Sequence, residues 1–343
     1  MGALGQSEDR DAMTSEEKKI AVLGAGAWGT ALANVAATGR ERVALWGHDP
    51  AHIAALARDR ENRAYLPGLP LAAGVAPSAD LEAVAGAGVV LSVVPAQAMR
   101  EVARRFRDIL APGTAFVICS KGIESGTRRF MSEVAAQELP QANIAILSGP
   151  SFAADVCRGL PTAVTLAARD EALAKRLCEI LSTRAFRLYR STDVLGVEIG
   201  GAAKNVLAIA SGMAAGRALG ASAGAALIAR GFAELTRLGR AYGVNQETLM
   251  GLSGLGDLVL TCGSAQSRNF ALGAALASGE APLEAAHGKL AEGAFTASAL
   301  VAMAKERGVE MPIAEAVDAI LSGAIGVDQA IEALLMRPLR AEA

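Results

Sequence analysis

The sequence feature that most limits the fold is a glycine-rich turn between a short apolar run and a helical segment. The run Lys19 to Leu23 reads as a buried strand and leads directly into Gly24-Ala25-Gly26-Ala27-Trp28-Gly29. In this context Gly24 permits a tight turn, Gly26 lets a pyrophosphate approach the backbone, and Gly29 allows close packing of helix on strand. The first helix amides and the helix dipole then favour the anion. The motif predicts a dinucleotide-binding turn, with a merely flexible glycine-rich turn as the alternative.

Strand and helix patterns alternate through the first half of the chain. Buried strands are predicted at Ile20 to Leu23, Val43 to Trp46, Val89 to Val93, Ala115 to Cys119 and Ile144 to Leu147. Helical or Ala-rich segments lie between them, among them Thr30 to Thr38, Ala51 to Arg60 and Arg100 to Leu110. Further strands at Ala163 to Ala167 and Phe186 to Tyr189 flank a helix at Glu171 to Leu181. Such alternation predicts a doubly wound, mostly parallel α/β sheet with helices on both faces.

Strand signals stop after about Thr192, and the rest of the chain reads as helical. Helices are predicted at Val194 to Gly216, Ala223 to Tyr242, Ser267 to Ser278, Ala297 to Arg307 and Ile313 to Ser322. We therefore expect a polar, disordered leader at residues 1–18, a Rossmann domain at 19–192, and an all-α substrate and catalytic domain at 193–343.

Composition excludes several classes of function. The chain has 343 residues and a net charge of −2, which offers no basic surface for nucleic acid. Its 4 cysteines are widely scattered and predict neither a disulfide framework nor a metal site. The apolar stretch Val206 to Ala229 is interrupted by Arg217 and suits a buried helix better than a membrane span. We expect a cytoplasmic protein with reduced thiols.

The end of the second strand should distinguish NAD from NADP. An acidic residue there holds the ribose 2′-hydroxyl of NAD, whereas a basic or neutral residue tolerates the 2′-phosphate of NADP. The sequence reads Trp46-Gly47-His48-Asp49-Pro50, so His48 could approach the phosphate and Asp49 could repel it. Because His48 comes first, the pattern favours NADP, although a plain surface turn remains an alternative for His48.

A carbonyl reduction needs a proton donor, and Lys204 is the best candidate. The 3 histidines do not follow a central strand or lie among polar residues of an apolar helix. Lys204 lies in Gly200-Gly201-Ala202-Ala203-Lys204-Asn205-Val206-Leu207, a helix too apolar to face solvent. Burial of a lysine is costly and disfavours its charged form, which suits proton exchange near neutral pH. A lysine that extends to the surface is the alternative.

Other polar residues are candidate partners of the substrate. Lys121 follows a strand that ends at the expected ligand crevice, although a surface lysine is equally compatible with the pattern. The sequence Ser267-Arg268-Asn269 begins a helix and could grip a phosphate, or could be an ordinary N-cap. Asp257 lies in an apolar, glycine-rich segment, where an acid needs a cationic partner or a helix to cap. Lys204 is the predicted partner.

Six motifs in order resemble those of the bacterial NAD(P)-dependent glycerol-3-phosphate dehydrogenase family. They are Gly-Ala-Gly-Ala-Trp-Gly-Thr-Ala-Leu-Ala (24–33), Ser-Lys-Gly-Ile (120–123), Leu-Ser-Gly-Pro-Ser-Phe-Ala (147–153), Lys-Asn-Val-Leu-Ala-Ile-Ala (204–210), Gly-Leu-Gly-Asp-Leu (254–258) and Ser-Arg-Asn (267–269). The resemblance runs from about Lys19 to Val327. It implies a Rossmann domain joined to a 6-phosphogluconate-dehydrogenase-like helical domain, a homodimer, and a place in phospholipid precursor synthesis.

The resemblance also implies roles for individual residues. Lys204 would donate and accept the proton, with Asp257 and Asn205 orienting it. Substrate contacts would come from Lys121, Gly149, Ser151, Lys204, Asp257, Ser267, Arg268 and Asn269. Cofactor contacts, including those of the glycine turn, would come from Gly24, Gly26, Ala27, Trp28, Gly29, His48, Lys121, Ala153, Arg268, Leu290 and Glu292.

Three positions depart from the family pattern. Gly263 replaces a usual Thr, Ala27 replaces a frequent Ser or Thr, and Ala-Glu-Gly (291–293) replaces Val-Glu-Gly. These departures bear on affinity and on cofactor preference more than on reaction class. We expect the chain to reduce dihydroxyacetone phosphate to sn-glycerol 3-phosphate with NADPH or NADH. A related β-hydroxyacid dehydrogenase and a non-catalytic dinucleotide sensor are the alternatives.

Overall fold

The computed structural model describes residues 19–40, 42–281 and 291–337. The predicted leader at residues 1–18 lies outside the described residues. Contacts divide the chain into two compact units. The first unit runs to Lys121 and again from Arg129 to Val197, and the second consists of Gly122–Arg128 and the chain from Glu198 onward.

The first unit is built on an eight-stranded sheet with the order β3-β2-β1-β4-β5-β6-β7-β8. The strands are β1 (Ile20–Leu23), β2 (Val43–Trp46), β3 (Val75–Ser78), β4 (Val89–Ser92), β5 (Ala115–Ile118), β6 (Asn143–Ser148), β7 (Thr162–Ala168) and β8 (Phe186–Ser191). Neighbouring strands pair in parallel except for β6 and β7, which are antiparallel. The predicted mostly parallel, doubly wound sheet is confirmed.

Helices cover both faces of this sheet. They are α1 (Ala27–Ala36), α2 (Pro50–Asp59), α3 (Met99–Phe106), α4 (Met131–Glu138), α5 (Ala153–Cys157) and α6 (Glu171–Leu181). One buried cluster joins alternate strand residues such as Val22 and Leu45 to α1, α2 and α6. A second joins the other residues, such as Leu23 and Phe116, to α3 and α4. Burial of β1, β2, β4 and β5 on both faces explains why these strands are continuous apolar runs.

Two elements of this unit differ from the sequence prediction. Strand β3 was not predicted, because its sequence Val-Ala-Pro-Ser contains a proline; at the edge of the sheet, Pro77 is tolerated. Helix α1 begins at Ala27 and not at Thr30, since the last glycine of the turn already lies inside the helix.

From Glu198 onward, the described residues of the second unit form helices joined by turns and loops. After α7 (Val194–Gly216), which begins at the end of the first unit, come α8 (Gly220–Ala241), α9 (Gln246–Met250), a π-helical turn (Leu252–Gly256), α10 (Asp257–Cys262), α11 (Arg268–Ala277), α12 (Glu292–Glu306), α13 (Pro312–Leu321) and α14 (Val327–Leu335). Helix α12 begins five residues before its predicted start at Ala297. The predicted change from strands to helices near residue 192 is confirmed.

Helix α7 is the centre of the helical unit. It is the one helix of the described chain that is long and apolar enough to span a membrane, but 94% of its most apolar window is buried inside the protein. Its contact with α11 is very close, because a Cβ at Gly212 would lie 2.0 Å from the carbonyl oxygen of Phe270. A Cβ at Gly273 would lie 2.0 Å from the carbonyl oxygen of Ile209. Helix α7 is therefore a core helix, and its polar residues are held away from water.

Candidate active site

The phosphate-binding turn has the geometry that an anion site requires. Gly24 has a φ of +108°, a value that side chains strongly disfavour. A Cβ at Gly29 would lie 1.7 Å from the carbonyl oxygen of Gly24, so only glycine lets the helix begin this close to the turn. At Gly26 a Cβ would meet nothing within 4 Å, which means that the space in front of this residue is open.

Helix α1 begins directly after this open position. Gly26 is the N-cap residue, and no side chain caps the helix there. The initial N–H groups of any α-helix lack partners within the helix and carry partial positive charge. Ala27 and Trp28 occupy this first turn, and the Trp28 ring lies 6.4 Å from that of Phe186. The backbone here fits a pyrophosphate, as the motif predicts.

The two residues that should distinguish NAD from NADP, His48 and Asp49, lie in different surroundings after β2. His48 is exposed. The Asp49 carboxylate accepts hydrogen bonds from the backbone N–H groups of Ala51 and His52, at 2.9 and 3.3 Å. Asp49 therefore caps α2, and its charge is partly compensated by the end of that helix.

A third group of predicted residues meets beyond the ends of β5 and β6. The Lys121 ammonium donates a hydrogen bond to the carbonyl oxygen of Gly149 at 3.0 Å. The Ser151 hydroxyl donates to the same oxygen, also at 3.0 Å. Ala153 begins α5, which packs against α1. Lys121, Gly149 and Ser151 thus lie together at the carboxyl end of the sheet, where open α/β sheets bind ligands.

Lys204 and Asp257 form a buried ion pair in the helical unit. The Lys204 Nζ lies 2.7 Å from Asp257 Oδ1, and the two side chains are 9% and 2% exposed. The pairing that the apolar surroundings of both residues predict is therefore present. Removal of either partner would leave an uncompensated buried charge, which typically costs about 3–5 kcal/mol.

Thr261 completes the surroundings of the lysine and was missed in the sequence. Its hydroxyl oxygen accepts a hydrogen bond from Lys204 Nζ at 2.8 Å. The same hydroxyl donates to the Asp257 carbonyl oxygen at 2.6 Å. Thr261 lies one helical turn after Asp257, so the spacing of the two residues was a signal that could have identified it. The lysine is thus held by two oxygens on one face of α10.

The thiol of Cys262 is not a competing acid or base beside this pair. Burial raises its pKa to about 11, outweighing a hydrogen bond from Ser211 and the attraction of Lys204, both of which lower the pKa. The thiol stays protonated near neutral pH, so the ionisable chemistry belongs to Lys204 and Asp257.

A second polar network surrounds Asn205 and Asn269. The Asn269 amide donates to Asn205 Oδ1 at 2.9 Å, and its own oxygen accepts from the backbone N–H of Gly293 at 2.9 Å. These bonds join α7, α11 and the start of α12. Asn205 therefore contacts Asn269, and its predicted role in orienting Lys204 stays a prediction.

The remaining predicted residues lie at helix starts. Ser267 is the N-cap of α11 and accepts from the Phe270 N–H at 3.3 Å. Arg268 is the first residue of that helix and is exposed. Glu292 is the first residue of α12. Leu290 lies outside the described residues.

Two family models together match most of the chain. The N-terminal model of NAD-dependent glycerol-3-phosphate dehydrogenase matches residues 19–174, and the C-terminal model matches residues 193–332. A glycerol-3-phosphate dehydrogenase [NAD(P)+] of Azorhizobium caulinodans is 63% identical over 95% of this chain and 98% of its own length. Its counterpart in Bradyrhizobium sp. is 62% identical over 94% of this chain and 98% of its own length.

Solved structures agree with these matches. A glycerol-3-phosphate dehydrogenase from Coxiella burnetii is 41% identical, covers 94% of this chain and 100% of its own, and has a TM-score of 0.89. A ketopantoate reductase from Ralstonia eutropha is 19% identical, covers 91% of this chain and 99% of its own, and has a TM-score of 0.61. The second similarity shows only that the architecture is shared.

Proposed function

Because the chain belongs to the NAD-dependent glycerol-3-phosphate dehydrogenase family, we propose that it reduces dihydroxyacetone phosphate to sn-glycerol 3-phosphate, with Lys204 as the proton donor. The observation that carries the proposal is the buried ammonium of Lys204, held by Asp257 and Thr261 inside an apolar helix. Evolution of such a costly arrangement is hard to explain by stability alone, since buried ion pairs are often no more stable than apolar replacements.

The cofactor, when bound, supplies a hydride to C2 of the substrate. The protein must then place a proton on the carbonyl oxygen as negative charge develops there. Lys204 gives this proton in reduction and takes it back in oxidation. Asp257 and Thr261 fix the direction of the Lys204 amine, so that proton transfer needs no reorganisation of the site.

The cofactor would be held first at the glycine turn. Gly24, Gly26, Gly29 and the amides of Ala27 and Trp28 would bind the pyrophosphate. Further contacts would come from His48, Lys121, Ala153, Arg268, Leu290 and Glu292. With His48 exposed after β2 and Asp49 engaged at its helix, an NADP 2′-phosphate would meet the histidine first, which supports NADPH as the better reductant.

The substrate phosphate would be held by charge and by helix amides. Arg268 and Ser267 lie at the start of α11, where an exposed guanidinium and free helix amides favour a dianion. Asn269, Lys121, Gly149 and Ser151 would add polar contacts.

The biological setting is part of the same proposal. The product is a phospholipid precursor, and the enzyme would act in the cytoplasm as a homodimer. The Rossmann domain at 19–192 would carry the cofactor, and the helical domain at 193–343 would carry the proton donor.

The test is the oxidation of NADPH and of NADH with dihydroxyacetone phosphate, followed at 340 nm for four proteins. Lys204→Ala should lower kcat by about 10²–10⁴-fold without changing the affinity for NADPH. Lys204→Arg should keep the buried positive charge but lose turnover, because a guanidinium does not release its proton. Lys305→Ala, which removes an exposed lysine of the same unit, should keep the activity of the unchanged enzyme.

Three outcomes would contradict the proposal. Normal turnover of Lys204→Ala would remove the lysine from the chemistry. Faster turnover of a phosphate-free hydroxyacid would favour a β-hydroxyacid dehydrogenase. Binding of NADPH without its consumption would favour a dinucleotide sensor.

A further inference from the structure

The carbonyl oxygen of Ala25, inside the glycine turn, is held by two side chains from outside the turn. The Asn62 amide donates a hydrogen bond to it at 2.9 Å. The His52 Nε2 lies 3.1 Å from the same oxygen; because a carbonyl can only accept, this nitrogen carries the hydrogen. Nothing in the glycine motif itself requires either contact.

Asn62 is built into this position. It is 1% exposed, and the second hydrogen of the same amide nitrogen is donated to the Thr30 hydroxyl at 2.7 Å. Its own oxygen accepts from the Tyr65 N–H at 3.3 Å. Thr30 lies in the first turns of α1, so one side chain ties together the turn, the helix and the segment after α2.

His52 is held in a similar way. It lies on α2, and its ring packs edge-on against that of Tyr65, with the centroids 5.2 Å apart and the planes at 89°. Tyr65 therefore contacts both side chains, since it donates its backbone N–H to Asn62 and packs its ring on His52.

The two donors determine where the next N–H points. A peptide unit is planar and trans, so the C=O of Ala25 and the N–H of Gly26 point in opposite directions. With the oxygen fixed toward Asn62 and His52, the Gly26 N–H is fixed toward the opposite side. A glycine turn without such donors could rotate this peptide with little steric penalty.

We propose that Asn62, assisted by His52, is a positioning residue of the cofactor site that orients the Ala25–Gly26 peptide so that the Gly26 N–H faces the pyrophosphate. This inference rests on the proposed binding of NAD(P)H by the glycine turn. Asn62 itself does not touch the cofactor. Its contribution is to remove the cost of ordering the peptide at the moment of binding.

The experiment measures the affinity of NADPH by its fluorescence, without substrate, for the unchanged enzyme and for Asn62→Ala. The affinity should fall about tenfold, in line with the loss of hydrogen bonds to one buried carbonyl. His52→Leu, at a half-buried position, keeps the hydrogen bonds of Asn62, and its affinity for NADPH should fall about threefold. The kcat at saturating NADPH and the KM for dihydroxyacetone phosphate should stay within twofold.

Asn34→Ala is the matched control. Asn34 lies on α1 of the same unit and also makes three hydrogen bonds, to the Pro70 carbonyl oxygen, the Cys157 sulfur and the Ala72 N–H, but none to the turn. Its affinity for NADPH should match that of the unchanged enzyme. Competition with ADP-ribose and with adenosine gives a readout that general destabilisation does not change. Asn62→Ala should weaken the binding of ADP-ribose, which carries the pyrophosphate, and leave the binding of adenosine unchanged.

Equal NADPH affinities of Asn62→Ala, His52→Leu and the unchanged enzyme would overturn the inference and leave the proposed function intact. An equal loss of affinity for ADP-ribose and adenosine in Asn62→Ala would also overturn it, by showing that Asn62 has a general structural role. If Asn62→Ala does not fold, the affinity of His52→Leu decides the question alone. Failure of the unchanged enzyme to bind NADPH would overturn both this inference and the proposed function.

Discussion

The glycine turn of the sheet unit and the lysine site of the helical unit prepare for charge in opposite ways. The turn is proposed to hold an anion with backbone N–H groups, and its geometry depends on the Cβ atoms that Gly24 and Gly29 lack. The lysine site carries its own charges, brought together from positions 204 and 257 and buried at a cost. The glycine turn therefore depends on steric fit, whereas the lysine site depends on the compensation of its buried charges.

This contrast predicts different responses to the smallest possible changes. One added methyl group should destroy the turn, while the lysine site should tolerate a change of shape and fail when an acceptor is removed.

The largest effect should come from Gly29→Ala. The added carbon would overlap the Gly24 carbonyl oxygen at 1.7 Å, and neither backbone segment can move without disturbing β1 or α1. We expect a loss of NADPH affinity of at least about 100-fold, together with a loss of stability of about 1–3 kcal/mol or more. Fluorescence titration and thermal unfolding measure the two quantities.

Gly39→Ala is the control for this change. Gly39 has a positive φ of +70°, but a Cβ there would meet nothing within 4 Å. This variant should lose about 1 kcal/mol of stability from backbone strain and bind NADPH normally. If Gly29→Ala binds NADPH as well as Gly39→Ala does, steric fit is not what limits the turn.

A smaller effect should come from Thr261→Val, which keeps the shape of the side chain and removes its hydroxyl. Lys204 loses the acceptor at 2.8 Å but keeps Asp257 at 2.7 Å. We expect kcat to fall about tenfold, with the affinity for NADPH unchanged, because one hydrogen bond to a charged group contributes about 1.5–3 kcal/mol.

Thr236→Val provides the matched comparison for Thr261→Val. The Thr236 hydroxyl donates a hydrogen bond to the Phe232 carbonyl oxygen one turn earlier on α8, at 2.9 Å. Its removal should leave kcat within twofold. Equal kcat values for the two variants would show that the lysine needs only its ion pair.

The contrast also explains what the sequence could predict. The turn is a local feature, and its six consecutive residues are sufficient to identify it. Strands such as β1 and β2 were predicted within a residue because they are buried on both faces and therefore uniformly apolar. Strand β3 was missed because an edge strand tolerates the proline and the serine that argue against a strand elsewhere.

The lysine site was only partly predictable. A lysine and an aspartate in apolar segments each need an opposite charge, so their pairing could be predicted across a sequence separation of 53 residues. A threonine has no such need, because its hydroxyl commonly bonds within its own helix, as Thr261 also does. The start of α12 at Glu292 was missed because Gly293 resembles a loop residue, whereas it packs against the Asn205 carbonyl oxygen.

Glu234 carries a buried charge like the lysine site and contacts backbone N–H groups like those proposed for the glycine turn. It gives the smallest predicted effect. It is a buried carboxylate on α8, 1% exposed, and it is compensated by backbone amides. Its oxygens accept from the N–H groups of Ile313 and Ala314, at 2.8 and 3.3 Å, where α13 begins. Burial raises its pKa from 4.5 to about 7, while these two amides and Arg237 lower it and Glu315 raises it.

The raised pKa makes stability depend on pH in a defined direction. Between pH 4.5 and about 7 the folded protein holds a proton on Glu234 that the unfolded chain has released, so its contribution to stability is fully present below pH 4.5 and is lost as the pH rises through 7. From pH 6 to pH 8 the free energy of unfolding should therefore fall by about 1 kcal/mol through this group.

Glu234→Gln, which cannot ionise but keeps an acceptor for Ile313, should lack this part of the fall. Urea unfolding at the two pH values measures the difference. Glu315→Gln is the control, because it removes a charge from the first turn of α13 and leaves the buried Glu234 carboxylate in place. This variant should keep the fall in the free energy of unfolding. An identical fall in Glu234→Gln and the unchanged enzyme would mean that the two backbone amides compensate the ionised carboxylate fully, as the amides of the glycine turn are proposed to do for the pyrophosphate.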